Sequence, residues 1–248
     1  MEELKVSPEE LKKLIDIGKV LGKGFFGYVF EYKDKLIKLD DRLYKLLRNN
    51  SLADAEWAVH HRYKFDQDDF NDRSQLEYLF SVQPNVTLTK LPEGIVTLSD
   101  VDPKYMGISP GIIIPYHKNH EKLETLSPLE YKKVLIILKK LLESVRELAD
   151  HKISQEDFVQ YDRFNRQKRN YNVLYQGDTP QIIDMSGVEI MAGSDFVDAK
   201  NMYKGLGNIV FDYFDFNDLK SPYLKDEADS DQKIVEMIDE FEKQTKNK

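Results

Sequence analysis

The chain has 248 residues, 41% hydrophobic and 32% charged, and at about 150 residues per domain this predicts one or two folded domains with a real interior. Its 36 basic and 44 acidic side chains leave a formal net charge of −8, which disfavours bulk binding to duplex nucleic acid. With no cysteine, disulfides, thiolate metal sites and a cysteine nucleophile are excluded, and the longest apolar run, Val134 to Leu138, falls far short of the roughly 20 residues of a membrane span. Neither nucleic acid nor a membrane is an expected partner. With no signal-like N-terminus, a cytoplasmic location, or delivery into a host cytosol, is expected.

The first third reads as strand-rich. Ile15 to Val20, Tyr28 to Tyr32 and Lys35 to Leu39 are short segments separated by glycines and by Lys33-Asp34, the pattern of antiparallel strands joined by tight turns. Helical stretches are expected from about Asp41 to Tyr63 and from Asp72 to Val82. Strands return at Ile95 to Leu98 and Gly111 to Tyr116, where Ile112-Ile113-Ile114 has the continuous apolar character of a strand buried on both faces. Pro128 to Ala149 carries the strongest helical pattern. Ser127 is placed to cap it, Glu130 to complete a capping box, and Tyr131, Val134, Leu135, Leu138, Leu141, Leu142, Val145 and Leu148 recur at helical spacing.

Phe158-Val159, Val173 to Tyr175 and Gln181 to Ile183 read as short strands, followed by helices at Ala199 to Phe214 and Asp231 to Lys243. Between Asp212 and Glu242 stand eleven acidic and three basic residues, which accounts for the whole net charge. The aromatic cluster Phe211, Tyr213, Phe214 and Phe216 is expected in the core, since no basic residues interleave with it as a base-stacking platform would require.

Several residues in this framework carry chemistry. Gly22-Lys23-Gly24-Phe25-Phe26-Gly27-Tyr28-Val29 is a GxGxxGxV string lying between strand-forming segments, where backbone amides can approach phosphate oxygens closely. An ordinary glycine-containing hairpin is the other reading. Lys38, eleven residues after Gly27, ends an apolar strand and reads either as a phosphate-binding cation or as a snorkelling surface lysine. Asn172 and Asp184 stand at the ends of two short strands, an amide and a carboxylate suited to Mg²⁺, unless they only flank a polar hairpin turn.

In this order the features resemble the protein-kinase-like family, in the form of a minimal or atypical eukaryotic-type Ser/Thr kinase, over roughly Ile15 to Phe214. The resemblance implies an α+β, two-lobed protein-kinase-like fold: a small antiparallel-sheet N-lobe over residues 1–116 and a short helical C-lobe over 117–248, with ATP and Mg²⁺ between them. It implies that Gly22, Gly24, Gly27 and Val29 cover the nucleotide and that Lys38 binds its α- and β-phosphates, paired with Glu77 or, alternatively, Glu56. Ile114, Tyr116 and His117 would lie beside the adenine, and Asn172 and Asp184 would hold Mg²⁺.

For the catalytic aspartate, Asp162 is preferred over Asp157, because a loop inserted before the base is easier to accommodate than one between base and metal ligand. Ser154 to Asp157 then reads as a local Ser-x-x-Asp turn. The expected function is phosphotransfer from ATP to a hydroxyl of a protein or small-molecule substrate. A pseudokinase or nucleotide-binding interaction module is the alternative.

Overall fold

The computed structural model describes residues 2–23, 27–40, 44, 48, 73–99, 111–115, 117–155, 159–161, 169–183, 189–190, 195–225 and 227–246. The architecture is mixed α+β, and the chain divides into two compact units: Met1–Pro84 with Leu91–Tyr116, and Asn85–Lys90 with His117–Lys248.

The first unit is built on a six-stranded sheet of β1 (Glu2–Val6), β2 (Val20–Lys23), β3 (Gly27–Tyr32), β4 (Lys35–Asp40), β5 (Gly94–Leu98) and β6 (Gly111–Ile114). The strand order is β1-β5-β6-β4-β3-β2, and every pairing is antiparallel except β1 with β5. Lys33 and Asp34 both take positive φ, 47° and 63°, so the β3–β4 turn twists with its strands as a type I′ hairpin does.

Helix α1 (Pro8–Ile17) occupies part of the segment expected to be a strand at Ile15 to Val20. Ser7 and Glu10 form a reciprocal capping box, Pro8 opens the first turn, and Leu11 and Ile15 bury one face. Ile17 is exposed, and the helically spaced Leu11 and Ile15 are the buried ones. That set packs with Val6 against Tyr28, Phe30, Ile37, Leu39, Val96 and Ile113, so α1 covers one face of the sheet. Helix α2 (Arg73–Val82) matches its expected span. Of the helix expected from Asp41 to Tyr63, Tyr44 and Arg48 are helical and the rest lies outside the described residues. The Tyr44 ring stacks on Tyr28 at 3.7 Å.

The second unit contains α3 (Tyr131–Asp150), α4 (Asp195–Phe216) and α5 (Asp231–Thr245). Helix α3 starts three residues later than the capping pattern predicts. The Ser127 hydroxyl accepts a hydrogen bond from the Leu129 amide inside a turn, and Glu130, at the cap position, makes no side-chain cap. The apolar face of α3 includes Ile137, missed by the sequence reading. Lys139 and Arg146 reach Glu242 and Asp231 on α5, tying the two helices at both ends. Tyr213 and Phe214 are core residues as expected, whereas Phe216 is exposed. Among the described residues no helix is long and apolar enough to cross a membrane.

The remaining strands of this unit are short: β7 (Glu121–Lys122), β8 (Ile153–Ser154), β9 (Val159–Tyr161), β10 (Arg169–Tyr171), β11 (Val173–Gln176), β12 (Thr179–Ile182) and β13 (Glu189–Ile190). Among the described residues they form three small sheets, β12-β11-β7, β10-β9 and β13-β8. The segment Asn85–Lys90 belongs here because Glu147 of α3 accepts hydrogen bonds from the Thr87 amide, the Thr87 hydroxyl and the Leu88 amide, each at 2.7 Å. Burial pushes the Glu147 carboxyl up, and these bonds outweigh it, leaving the group below its ordinary range.

Candidate functional site

In the first unit the residues of interest gather on the sheet face opposite α1. Side chains alternate along a strand, so Ile37 and Leu39 face α1 while Lys38 points the other way. Directly across from Lys38 stand Val29 on β3 and Ile112 on β6, and Leu36 and Ile114 form a further pair on the same face. Lys38 is only 3% exposed, which does not fit the snorkelling surface lysine.

The glycines of the string are held for different reasons. A Cβ on Gly27 would lie 2.2 Å from the Leu39 carbonyl oxygen and 3.5 Å from Lys38 Cγ, so β3 and β4 approach too closely there for any side chain. Among the described residues, a Cβ on Gly22 would meet Val29 side-chain atoms at 3.7 and 3.8 Å, which is ordinary contact. The ladder therefore requires glycine at 27, and packing within the sheet does not require it at 22. Gly27→Ala should cost about 2 kcal/mol or more of stability, whereas Gly22→Ala should change it by less than about 1 kcal/mol; paired urea melts check this. Gly24 lies outside the described residues.

Glu77 sits on α2 and is exposed; Glu56 lies outside the described residues. Ile114 ends β6, half-buried, while Tyr116 lies outside the described residues.

In the second unit His117 is half-buried, with its ring 5.2 Å from that of His120. Burial, reinforced by the neighbouring His120 and Lys90 charges, pushes its pKa down from 6.5 to about 4. Between those values the folded protein binds fewer protons than the unfolded chain. The contribution to stability is therefore complete above pH 6.5 and is lost as pH falls toward 4. We expect roughly 1–3 kcal/mol of such loss, allowing for partial solvent screening, and a flatter profile in His117→Gln; urea midpoints between pH 7 and 4 measure both.

Asn172, 6% exposed, links β10 to β11 and is fixed from two sides. Its carbonyl accepts a 2.9 Å hydrogen bond from the Ile183 amide, which continues the β11–β12 ladder and brings the residue before Asp184 alongside Asn172. Next to it, the Tyr171 hydroxyl donates to Asp212 Oδ2 of α4 at 2.7 Å, with both residues buried. Ser154 is a buried residue of β8, paired with Glu189, and the rest of the expected Ser-x-x-Asp turn, Glu156 and Asp157, lies outside the described residues. Asp157, Asp162 and Asp184 themselves lie outside the described residues.

The two units thus present, separately, a buried lysine flanked by an apolar strand face and a buried asparagine whose backbone carbonyl is bonded to the Ile183 amide. The first is suited to an anionic group and an apolar ring, the second to a hard cation held by oxygen donors. The Tyr171–Asp212 bond and the β8–β13 ladder, between elements far apart in sequence, were not anticipated and have no local signature. No family model matches this chain, and no curated protein matches it.

Proposed function

We propose that this chain is an ATP- and Mg²⁺-dependent phosphotransferase acting on a hydroxyl, a Ser/Thr protein kinase of minimal type with a two-lobed kinase-like fold. The observation that carries this reading is Lys38: a lysine buried on a central strand, opposite Val29 and beside Gly27, one hairpin away from the glycine string. Burying an ammonium group is costly, so a site that retains one invites a functional explanation. Glycine at 22, which contact with Val29 does not demand, supports a backbone kept bare for phosphate.

In this reading Lys38 holds the α- and β-phosphates, and Gly22, Gly24, Gly27 and Val29 cover the nucleotide. Ile114, Tyr116 and His117 contact its base, and Asn172 with Asp184 holds Mg²⁺. The ion, when bound, neutralises charge on the phosphates. Glu77 orients Lys38, and an aspartate, Asp162 or Asp157, takes the substrate proton. The exposure of Glu77 favours a second reading, a nucleotide-binding module without efficient transfer.

Asp184→Ala should abolish Mg²⁺-dependent transfer, measured by autophosphorylation and by mass spectrometry of candidate protein and small-molecule acceptors, while leaving the circular dichroism spectrum unchanged. Unchanged turnover in that variant would overturn the assignment, and the absence of transfer by the wild-type chain to any acceptor would favour the binding module.

A further inference from the structure

We propose that Tyr44 is a positioning residue for the glycine string, acting through Tyr28, and so sets the affinity for MgATP; the inference rests on the phosphotransfer reading above. The string leaves β2 at Lys23 and enters β3 at Gly27. In the strand order β2 stands at the edge beside β3, and its register shifts between Val20 and Gly22. An edge strand interrupted in this way is held by fewer backbone bonds than a central one, so side chains must fix where the string begins and ends.

Two cross-strand pairs do so, on opposite faces of the sheet. Gly22 stands across from Val29, and Val29 across from Lys38, which puts this set on the face away from α1. Lys23 stands across from Tyr28, and Tyr28 across from Leu39, which belongs to the core cluster under α1. Lys23 therefore turns away from Lys38, although it lies inside the string. Its ammonium group is 5.2 Å from the centroid of the Tyr28 ring, within the range of a cation–π contact.

Tyr44 lies against that same ring. The two ring centroids are 3.7 Å apart with the planes inclined by 20°, Phe30 of β3 is 5.9 Å from Tyr44, and Tyr44 is 4% exposed. The far end of Tyr44 is also held. Arg48, four residues on, donates a 2.6 Å hydrogen bond to its hydroxyl, and the guanidinium carbon is 5.7 Å from the ring centroid.

Tyr28 thus meets the string's own lysine and the Tyr44 ring, and Arg48 fixes Tyr44 in turn. Tyr28 sits between Gly27, where β3 presses on the Leu39 carbonyl, and Val29, so a displaced Tyr28 ring would carry the backbone at both positions with it. Tyr44 lies in the cluster on the α1 side, away from the Lys38 face. Its effect is on how much ordering the string must still undergo when phosphate binds. A string ordered in advance binds more tightly, and the transfer step served by Lys38 and the metal ligands is left alone.

Tyr44→Leu keeps apolar volume without the flat ring and should raise KM for MgATP by about tenfold, with kcat within about threefold of the wild type. Tyr44→Phe keeps the ring, loses only the hydroxyl, and should restore KM to within about twofold. Without nucleotide, hydrogen exchange read by mass spectrometry should quicken about fivefold or more in Tyr44→Leu in peptides carrying Gly22-Lys23 and Tyr28 to Phe30, and stay within about twofold over Gly111–Ile114. A Tyr44→Leu KM within about twofold of the wild type, or a Phe variant as impaired as Leu, overturns the proposal. So does exchange that quickens equally on β6, because a residue that only fills the core would loosen the whole sheet. A wild-type chain that neither binds nor turns over MgATP overturns the phosphotransfer reading and the role of Tyr44 in it, whereas failure of the Tyr44 proposal alone leaves wild-type transfer intact.

Discussion

Lys38→Met is expected to lower ATP-dependent transfer by about 100-fold or more while the circular dichroism spectrum stays that of the folded wild type. The side chain is 3% exposed, between Val29 and Ile112 across the neighbouring strands, so an unbranched apolar stem of similar length keeps the packing of the sheet face. What Met removes is the ammonium and its donors. A lysine retained only to fill space would be replaced with no functional consequence, and a lysine holding phosphate would not. Kinetic assays with a MgATP titration, beside the circular dichroism spectrum, distinguish the two. Transfer within threefold of the wild type would remove Lys38 from the site.

The largest stability effect is expected at Asp212, where Ala should cost about 3–5 kcal/mol in urea unfolding. Asp212 is fully buried on α4 and its Oδ2 accepts from the Tyr171 hydroxyl at 2.7 Å. Truncation takes the carboxylate acceptor from that hydroxyl and removes fully buried side-chain volume from the core. Tyr171→Phe removes only the donor and should cost about 1.5–3 kcal/mol, because the carboxylate keeps its place but loses one bond. Asp212→Asn keeps an acceptor oxygen and should be the mildest of the three. Equal effects from Asn and Ala would show that packing, rather than the hydrogen bond, sets the cost.

Local order was legible where one physical signal dominated. The apolar period of α3 and α5 and the Lys33-Asp34 turn were read within a few residues of their observed limits, because each depends on side chains three or four positions apart or on two backbone angles. Where two signals competed, the choice failed. Ile15 to Val20 reads as a strand bounded by glycines, but Ser7 and Glu10 cap a helix whose Leu11 and Ile15 enter the core. At Ser127 the same cap chemistry was overrated, since its hydroxyl closes a turn before the helix begins. The strand β1 was missed altogether. It pairs in parallel with β5, about ninety residues later, and nothing in Glu2–Val6 names that partner.

Of the candidate site, the sequence by itself determined which residue types were present and in what order: the glycine string, Lys38 on an apolar strand, and Asn172 and Asp184 at the ends of a hairpin. These follow from chain-local rules of alternation and turn chemistry. Only the tertiary structure decided that Lys38 is buried on the face away from α1, that the ladder demands glycine at 27 while packing does not demand it at 22, and that Tyr171 is anchored on Asp212. Only the ladder registers showed that Val159 pairs with Tyr171 and Ser154 with Glu189. The physical reason is that burial, close backbone approach and strand register are pairwise properties of segments distant in sequence. A side chain's own neighbours in the chain set its local conformation, while its partner across the fold is chosen by the packing of the whole unit.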